Sequence, residues 1–248
     1  MSYYANFALS YDHLMQDVDY EKRAEYILSL FEKHKKKPAD IIDLGCGTGT
    51  LSFTLMKMGV DVIGVDNSPL MLSEARNKAY ELELNPLLLC QDICELDLYG
   101  TAEGAISTLD CLNHIVDTND LERVFNRLKF FIEPGGLFIF DMNTPYKHKE
   151  ILSGATFVRD MDEVYCVWQN GICDDELKVS ISLDIFSQDD DGRYSLSTES
   201  FVERAYTEDQ LNEIFERNYF EKVAVYDDMT FDAPCDTTQR IVYVLKRK

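Results

Sequence analysis

At 248 residues with 46% apolar side chains, the chain can bury a sizeable core as one domain, or as one domain plus a lobe. Its formal net charge of −21 disfavours nucleic acid, whose phosphates are bound through Lys and Arg, and favours a small neutral or cationic partner. No long uncharged apolar run spans a membrane, the start of the chain lacks the regions of a signal peptide, and seven cysteines without a C-x-x-C pair are expected as reduced thiols in the cytoplasm.

The first 36 residues combine an aromatic-rich segment with a helix. Tyr3, Tyr4, Phe7 and the pair Tyr11-Asp12 make up the segment. From Tyr20 to about residue 36, helical spacing puts Tyr26, Ile27, Leu30 and Phe31 on one face, and Pro38 ends the run. A buried strand over 40–44 breaks into glycines and a helix over 50–58, which Gly59 stops. A second strand, 60–66, ends on Asp66. Ser68 is then a good N-cap and Pro69 fits the first position of a helix running to about residue 84.

Strands follow at 87–90, before Gln91-Asp92, and at 104–108, before Leu109-Asp110-Cys111-Leu112-Asn113-His114. A helix over 119–132 carries Leu121, Val124, Phe125 and Leu128 at helical spacing, residues 133–136 have turn chemistry, and 137–141 is a fifth strand. Strands alternating with helices predict a parallel, doubly wound sheet.

After Pro145 the pattern changes. Between residues 156 and 205 consecutive strands are expected at 164–169, 176–187 and 194–204, with turns at Asn170-Gly171 and 189–192. This predicts a small antiparallel lobe, 151–205, inserted into a domain formed by 1–150 and 206–248. A helix over 207–218, with Thr207 and Gln210 as its capping box, and strands at 220–226 and 241–246 complete a seven-stranded sheet.

The chemistry concentrates in Asp43-Leu44-Gly45-Cys46-Gly47-Thr48-Gly49. Glycines at a strand-to-helix turn let the backbone approach a ligand closely, and an acid at the tip of the next strand, Asp66, is placed to accept hydrogen bonds from a ribose. The dinucleotide fingerprint wants a glycine where Thr50 stands, and Asp43 at the turn opposes a pyrophosphate. A nicotinamide-dependent oxidoreductase is therefore the poorer alternative. S-adenosylmethionine, with an ammonium, a sulfonium and no phosphate, suits the acid better.

This run resembles motif I of the class I S-adenosylmethionine-dependent methyltransferases. The following segments are similar to that family's later motifs. The resemblance implies an α/β, Rossmann-like fold and a cofactor site built from Asp43, Leu44, Gly45, Cys46, Gly47 and Gly49 in the loop. It adds Asp66, Asn67 and Met71 after the second strand, Gln91, Asp92 and Ile93 at the adenine, and Leu109 after the fourth strand. Tyr11, with Asp12, corresponds to a lid over the cofactor.

Asp110, Asn113 and His114 fall where side chains face the transferred methyl group, which makes them the candidate catalytic residues. His114 is the one that titrates near neutrality and is the leading candidate base. The order of segments, with Arg204-x-Tyr206-Thr207-x-x-x-Leu211 after the insert, looks like a small bacterial branch that includes sugar-amine N,N-dimethyltransferases. In that branch the insert roofs the active site and can make homodimer contacts. The implied acceptor is a small molecule methylated on nitrogen or oxygen, with RNA or protein as the alternative. The histidines and carboxylates show no metal-ligand spacing, so no metal is expected.

Overall fold

Ile41, Ile42 and Leu44 have no exposed surface because β1 (Asp40–Leu44) runs through the middle of a seven-stranded sheet. The computed structural model describes residues 5–35, 37–161, 163–189 and 191–248. The strands flanking β1 are β2 (Asp61–Asp66) and β4 (Ala102–Ser107). Beyond them lie β3 (Leu87–Cys90) on one side and β5 (Ile132–Asn143), β11 (Arg240–Arg247) and β10 (Phe220–Asp227) on the other. The first five strands in sequence are parallel, and β11 pairs antiparallel with both β5 and β10. Strand order reverses between β1 and β4, which opens a crevice at their carboxyl ends.

Helices α1 (Ala5–Leu14), α2 (Tyr20–His34), α3 (Thr50–Lys57), α4 (Pro69–Glu81), α5 (Thr118–Leu128) and α6 (Glu208–Arg217) surround the sheet. Ser68 caps α4 by accepting from Met71 N, and Thr207 and Gln210 form the expected reciprocal box on α6. On one face of the sheet, Phe125 of α5 packs against Phe138, Phe140, Phe215 and Phe220 at ring-centroid distances of 5.3–5.8 Å. Each such ring contributes about 2–3 kcal/mol by leaving water. On the other face Ile27, Leu30 and Phe31 of α2 meet Ile41, Ile106 and Ile139.

Helix α4 stops at Glu81 rather than near residue 84, β4 begins at Ala102, and a strand over Thr156–Asp160 adds to the lobe; two further differences concern β5. Helix α5 stops at Leu128, four residues early, because the chain already runs into β5 at Ile132, and Ala102 N donates to Phe131 O at 2.8 Å just before it. Glu133-Pro134-Gly135-Gly136, a turn by composition, lies inside β5 as a bulge, since Ala102 pairs with Ile132 and Gly104 already pairs with Leu137. Proline without a donor and glycine at positive φ are tolerated there because the bulged residues leave the ladder.

The segment after β5 passes through a π-helical turn, Lys147–Leu152, into a separate four-stranded antiparallel sheet: β6 (Thr156–Asp160), β7 (Val164–Asn170), β8 (Lys178–Gln188) and β9 (Tyr194–Arg204). Val179, Ile181, Leu183 and Ile185 alternate along β8 onto one face and pack with Leu14 of α1 and with Leu152. The small sheet thus sits against α1 and the carboxyl edge of the large one. No helix among the described residues is long and apolar enough to cross a membrane.

Candidate active site

The glycine loop turns on three left-handed residues, Gly45, Gly47 and Gly49, with φ of 75°, 54° and 77°. Gly45 N and Cys46 N both donate to Val65 O, at 2.8 and 3.0 Å, tying the loop to the end of β2. A Cβ on Gly45 would stand 2.2 Å from Cys111 Sγ, and one on Gly49 would stand 2.6 Å from the Phe53 ring. Packing therefore demands glycine at both. A Cβ on Gly47 would meet no atom within 4 Å, so the middle of the loop borders open space.

Two acids flank this cradle. Asp43 is buried, 3% exposed, and accepts from Ser52 Oγ at 2.5 Å. Burial lifts its pKa to about 6, against the Ser52 hydrogen bond, and Asp66 adds to the rise. Asp66 at the end of β2 accepts from Gly47 N and Ser68 N, both at 2.8 Å, and burial raises its pKa as well. Asn67 beside it is exposed, whereas Met71 in the first turn of α4 is 7% exposed.

Farther along the same edge, Gln91 N donates to Asp66 O at 3.0 Å. Its side chain is engaged twice by the backbone of Asp97. Asp92 caps the short 3-10 turn Ile93–Glu95 by accepting from Cys94 N at 2.8 Å.

The helix α1 closes over the loop. Tyr3 and Tyr4 lie outside the described residues, but Tyr11 and Asp12 are within them. Asp12 Oδ1 accepts from Thr48 Oγ1 at 2.7 Å and Thr50 Oγ1 at 3.2 Å, while Lys78 Nζ sits 2.7 Å from Oδ2. Burial raises the Tyr11 phenol well above its ordinary value, with Tyr20, Asp110 and Cys111 adding to the effect. The Tyr-Asp pair thus faces both the loop and the end of β4.

A charged cluster begins one residue before the Gly45 contact, Cys111. Leu109 and Asp110 are both left-handed, φ 58°, and Asp141 at the end of β5 accepts from their two amides at 2.8 Å each. Arg240 of β11 bridges Asp141 Oδ1 at 2.7 Å and Asp110 Oδ2 at 2.9 Å, and Arg23 of α2 reaches Asp141 and Asp228. Burial alone would push the Asp110 carboxyl up, but Arg240, Lys147 and His114 outweigh it and hold the group low. Asn143 donates to Asp110 Oδ2 at 2.8 Å and to Glu203 Oε2 at 3.3 Å, and accepts from Lys147 Nζ at 2.9 Å. A cleft of about 400 Å³ lined by Lys147, Asp228, Thr237, Thr238 and Arg240 opens beside it.

The three residues expected to face the acceptor part company. Asp110 is in the charged cluster, and His114 keeps 47% of its side-chain surface open although the dense surroundings desolvate the ring and lower its pKa. Asn113 is fully buried, and its amide is engaged by Asn143 N, Asn143 O and Arg204 O. It joins β5 to the small sheet and has no atom left for a ligand. Glu203, His148 and Arg240 come to the site from distant segments with no spacing that marks them in the sequence, whereas Asn143 and Lys147 lie in the run that follows the fifth strand on the same edge. Asp12 is legible in the sequence as the partner of Tyr11, and Asp141 as an acid at a strand end that could contact an acceptor; in the structure Asp141 is buried and serves the turn after β4.

A family model described as a methyltransferase domain matches residues 41–136. The solved structure of an S-adenosylmethionine-dependent methyltransferase from Clostridium acetobutylicum is similar, with a TM-score of 0.89 and 34% identity over 99% of both chains. A putative methyltransferase of Bacillus subtilis is 29% identical over 243 residues, covering 97% of this chain and 95% of its own. The structure of a sugar N-methyltransferase from Streptoalloteichus shares the fold, with a TM-score of 0.77 at 18% identity over 95% of this chain and 91% of that one.

Proposed function

The chain belongs to the S-adenosylmethionine-dependent methyltransferases, and from that membership we propose that it moves a methyl group onto a nitrogen or oxygen of a small-molecule acceptor. Residues 1–150 with 206–248 would bind the cofactor, and 151–205 would roof the acceptor. The observation that carries the reading is a junction: Cys111 packs on Gly45 of the cradle, and Asp110 beside it starts the charged cluster. In this reading the methyl donor and the proton-handling groups meet at one point of the sheet edge.

The loop fits such a cofactor. Gly47 borders open space that a side chain would fill. Asp43, a buried carboxylate lifted to about 6 by desolvation, gains from a ligand that is cationic and carries no phosphate. In this assignment Leu44, Gly45, Cys46, Gly47 and Gly49 line the methionine part, and Asp66, Asn67 and Met71 hold the ribose side. Gln91, Asp92 and Ile93 border the adenine. Leu109 and Tyr11 close the site.

When bound, the cofactor would supply a methyl group on a cationic sulfur, an electrophile for a lone pair of the acceptor. The chain's part is orientation and exclusion of water, which α1 and the small sheet provide. His114, exposed in the site and lowered by its surroundings, is neutral at pH 7 and takes the acceptor's proton. Asp110, held ionised by Arg240, orients the acceptor, and Asn113 positions Asn143. A small acceptor is supported by the net charge and by the sugar methyltransferase neighbour. All seven cysteines are free thiols, in keeping with a cytoplasmic setting.

Calorimetric titration with S-adenosylmethionine and with NAD tests the cofactor; binding of NAD alone would sink the reading. Transfer of a labelled methyl group to small amines and alcohols is the expected result. Label appearing only in tRNA or in protein would replace the acceptor class.

A further inference from the structure

His148 lies in the π-helical turn with no exposed surface, and its Nδ1 is 2.9 Å from Leu177 O. A carbonyl oxygen can only accept, so Nδ1 carries the hydrogen and Nε2 of the neutral ring is a bare lone pair. That Nε2 has no hydrogen-bond partner, and the atom it faces is Glu203 Oε2, 3.8 Å away. The other oxygen, Oε1, faces His114 Nε2 at 3.9 Å. Glu203 is itself only 3% exposed and stands two residues from Phe201, whose ring packs on His114 at 4.9 Å between centroids. One buried carboxyl group therefore lies between two imidazoles, with Asn143 donating to it from the side.

We propose that Glu203 is a positioning residue for methyl transfer: its carboxyl group spans His148 and His114 and fixes the tautomer of His114, leaving that ring's Nδ1 lone pair to receive the acceptor's proton. The proposal rests on His114 being the base of the reaction described above.

A lone pair on His148 facing an ionised carboxylate would be repulsive, and the local field removes the conflict. Burial, and then the neighbouring Asp110, lift Glu203 to about 8 against the opposing pull of Asn143, Lys147 and Arg240. Between neutrality and that value the group carries a proton. Neither separation, 3.8 or 3.9 Å, is a hydrogen bond as it stands. Once a small side-chain shift closes them, Glu203 with its proton on Oε2 donates to His148 Nε2, and Oε1 is left as a carbonyl-type acceptor. That oxygen selects the His114 form with hydrogen on Nε2. The proton lost by the acceptor then goes to Nδ1, giving an imidazolium whose Nε2–H still points at Glu203. A carboxyl group that holds one ring nitrogen so that the other can work is an established catalytic device.

The test is the imidazole ¹⁵N spectrum of the full chain, which reads tautomers directly and needs no cofactor. In the wild type at pH 7, His114 is expected with hydrogen on Nε2, and its shifts should move with an apparent pKa near 8 as Glu203 ionises. Glu203→Gln offers the same carbonyl oxygen to His114 and an N–H to His148. It should keep the tautomer and the neutral-pH turnover but lose the step near 8. Glu203→Leu should give a mixture of tautomers and lower kcat by about tenfold with KM unchanged.

Hydrogen on Nδ1 of His114 in the wild type, or an unaltered tautomer in a folded Glu203→Leu, would overturn the proposal. So would loss of the tautomer in Glu203→Gln. These outcomes are separate from cofactor titration: absent S-adenosylmethionine binding with the tautomer pattern intact would remove the methyl-transfer reading alone.

Discussion

Asp141 holds Asp110 in a left-handed backbone conformation by accepting its amide at 2.8 Å, while Arg240 grips both carboxylates from the opposite side. The turn after β4 points its side chains where they stand because of this clamp. Leu109 and Asp110 pay steric cost at φ 58°, and Asp141 offsets it with two amide hydrogen bonds.

Replacing Asp141 with Asn should therefore be costly. The side chain is 1% exposed and answers two amides and two guanidinium groups, so the change leaves Arg240 and Arg23 short of a buried counter-charge. A loss of about 3 kcal/mol is expected in urea unfolding, together with loss of turnover, because the turn bearing Asp110 and His114 is released.

The three loop glycines should respond differently to alanine. Gly45→Ala drives a Cβ into Cys111 Sγ and should unfold the loop or prevent folding. Gly47→Ala meets no protein atom and should cost only the left-handed penalty, about 1–2 kcal/mol. Its Cβ nevertheless enters the proposed cofactor space, so S-adenosylmethionine affinity should fall at least about tenfold by calorimetry while the fold survives. Unchanged affinity would remove the methionine part from this cradle.

Asp66→Ala should weaken the cofactor more. Two hydrogen bonds from ribose to a carboxylate are worth about 1.5–3 kcal/mol each, so a rise in Kd of at least about a hundredfold is expected. The variant also frees Gly47 N and Ser68 N, and a thermal scan without ligand separates this structural part from binding.

Asp43 carries a pH signature. Its pKa is raised from 3.8 to about 6, so the folded state binds more protons than the unfolded one between these values, and stability falls as pH rises through that window. The two-unit shift corresponds to about 3 kcal/mol of cost at neutral pH. Asp43→Asn should stabilise the unliganded chain by about 2 kcal/mol at pH 8 and by nearly nothing at pH 4, measured by urea unfolding. The same change should weaken cofactor binding if Asp43 meets the ligand's cation as proposed, since it removes that negative charge.

Removing the Lys78 ammonium tests the lid. Lys78 and Asp12 are partly exposed, so Lys78→Ala should change stability by less than about 1 kcal/mol. Hydrogen exchange of the α1 amides should accelerate, because Asp12 loses the ion pair that helps hold it to Thr48 and Thr50.

What the chain determined locally is the cofactor half. Asp43, the alternating glycines, Asp66 and Ser68-Pro69 are neighbours in sequence because one strand, one turn and one helix start make the proposed site, and the glycines and Pro69 are types their backbone positions favour. The alternating β8 and the Thr207–Gln210 box were equally legible, since a face and a cap are set by spacings of two and three. The bulge in β5 broke a local rule, where sheet pairing on both flanks overrode turn composition.

The proposed acid–base half was decided by the tertiary structure. Arg240 reaches Asp110 across 130 positions, and Glu203 meets His148 across a sheet, a helical turn and a change of domain direction. Nothing within a few residues of Glu203 records that it will be desolvated between two imidazoles. Protonation and tautomer depend on burial and on charges from remote segments, and these exist only once the small sheet has closed onto the carboxyl edge of the large one.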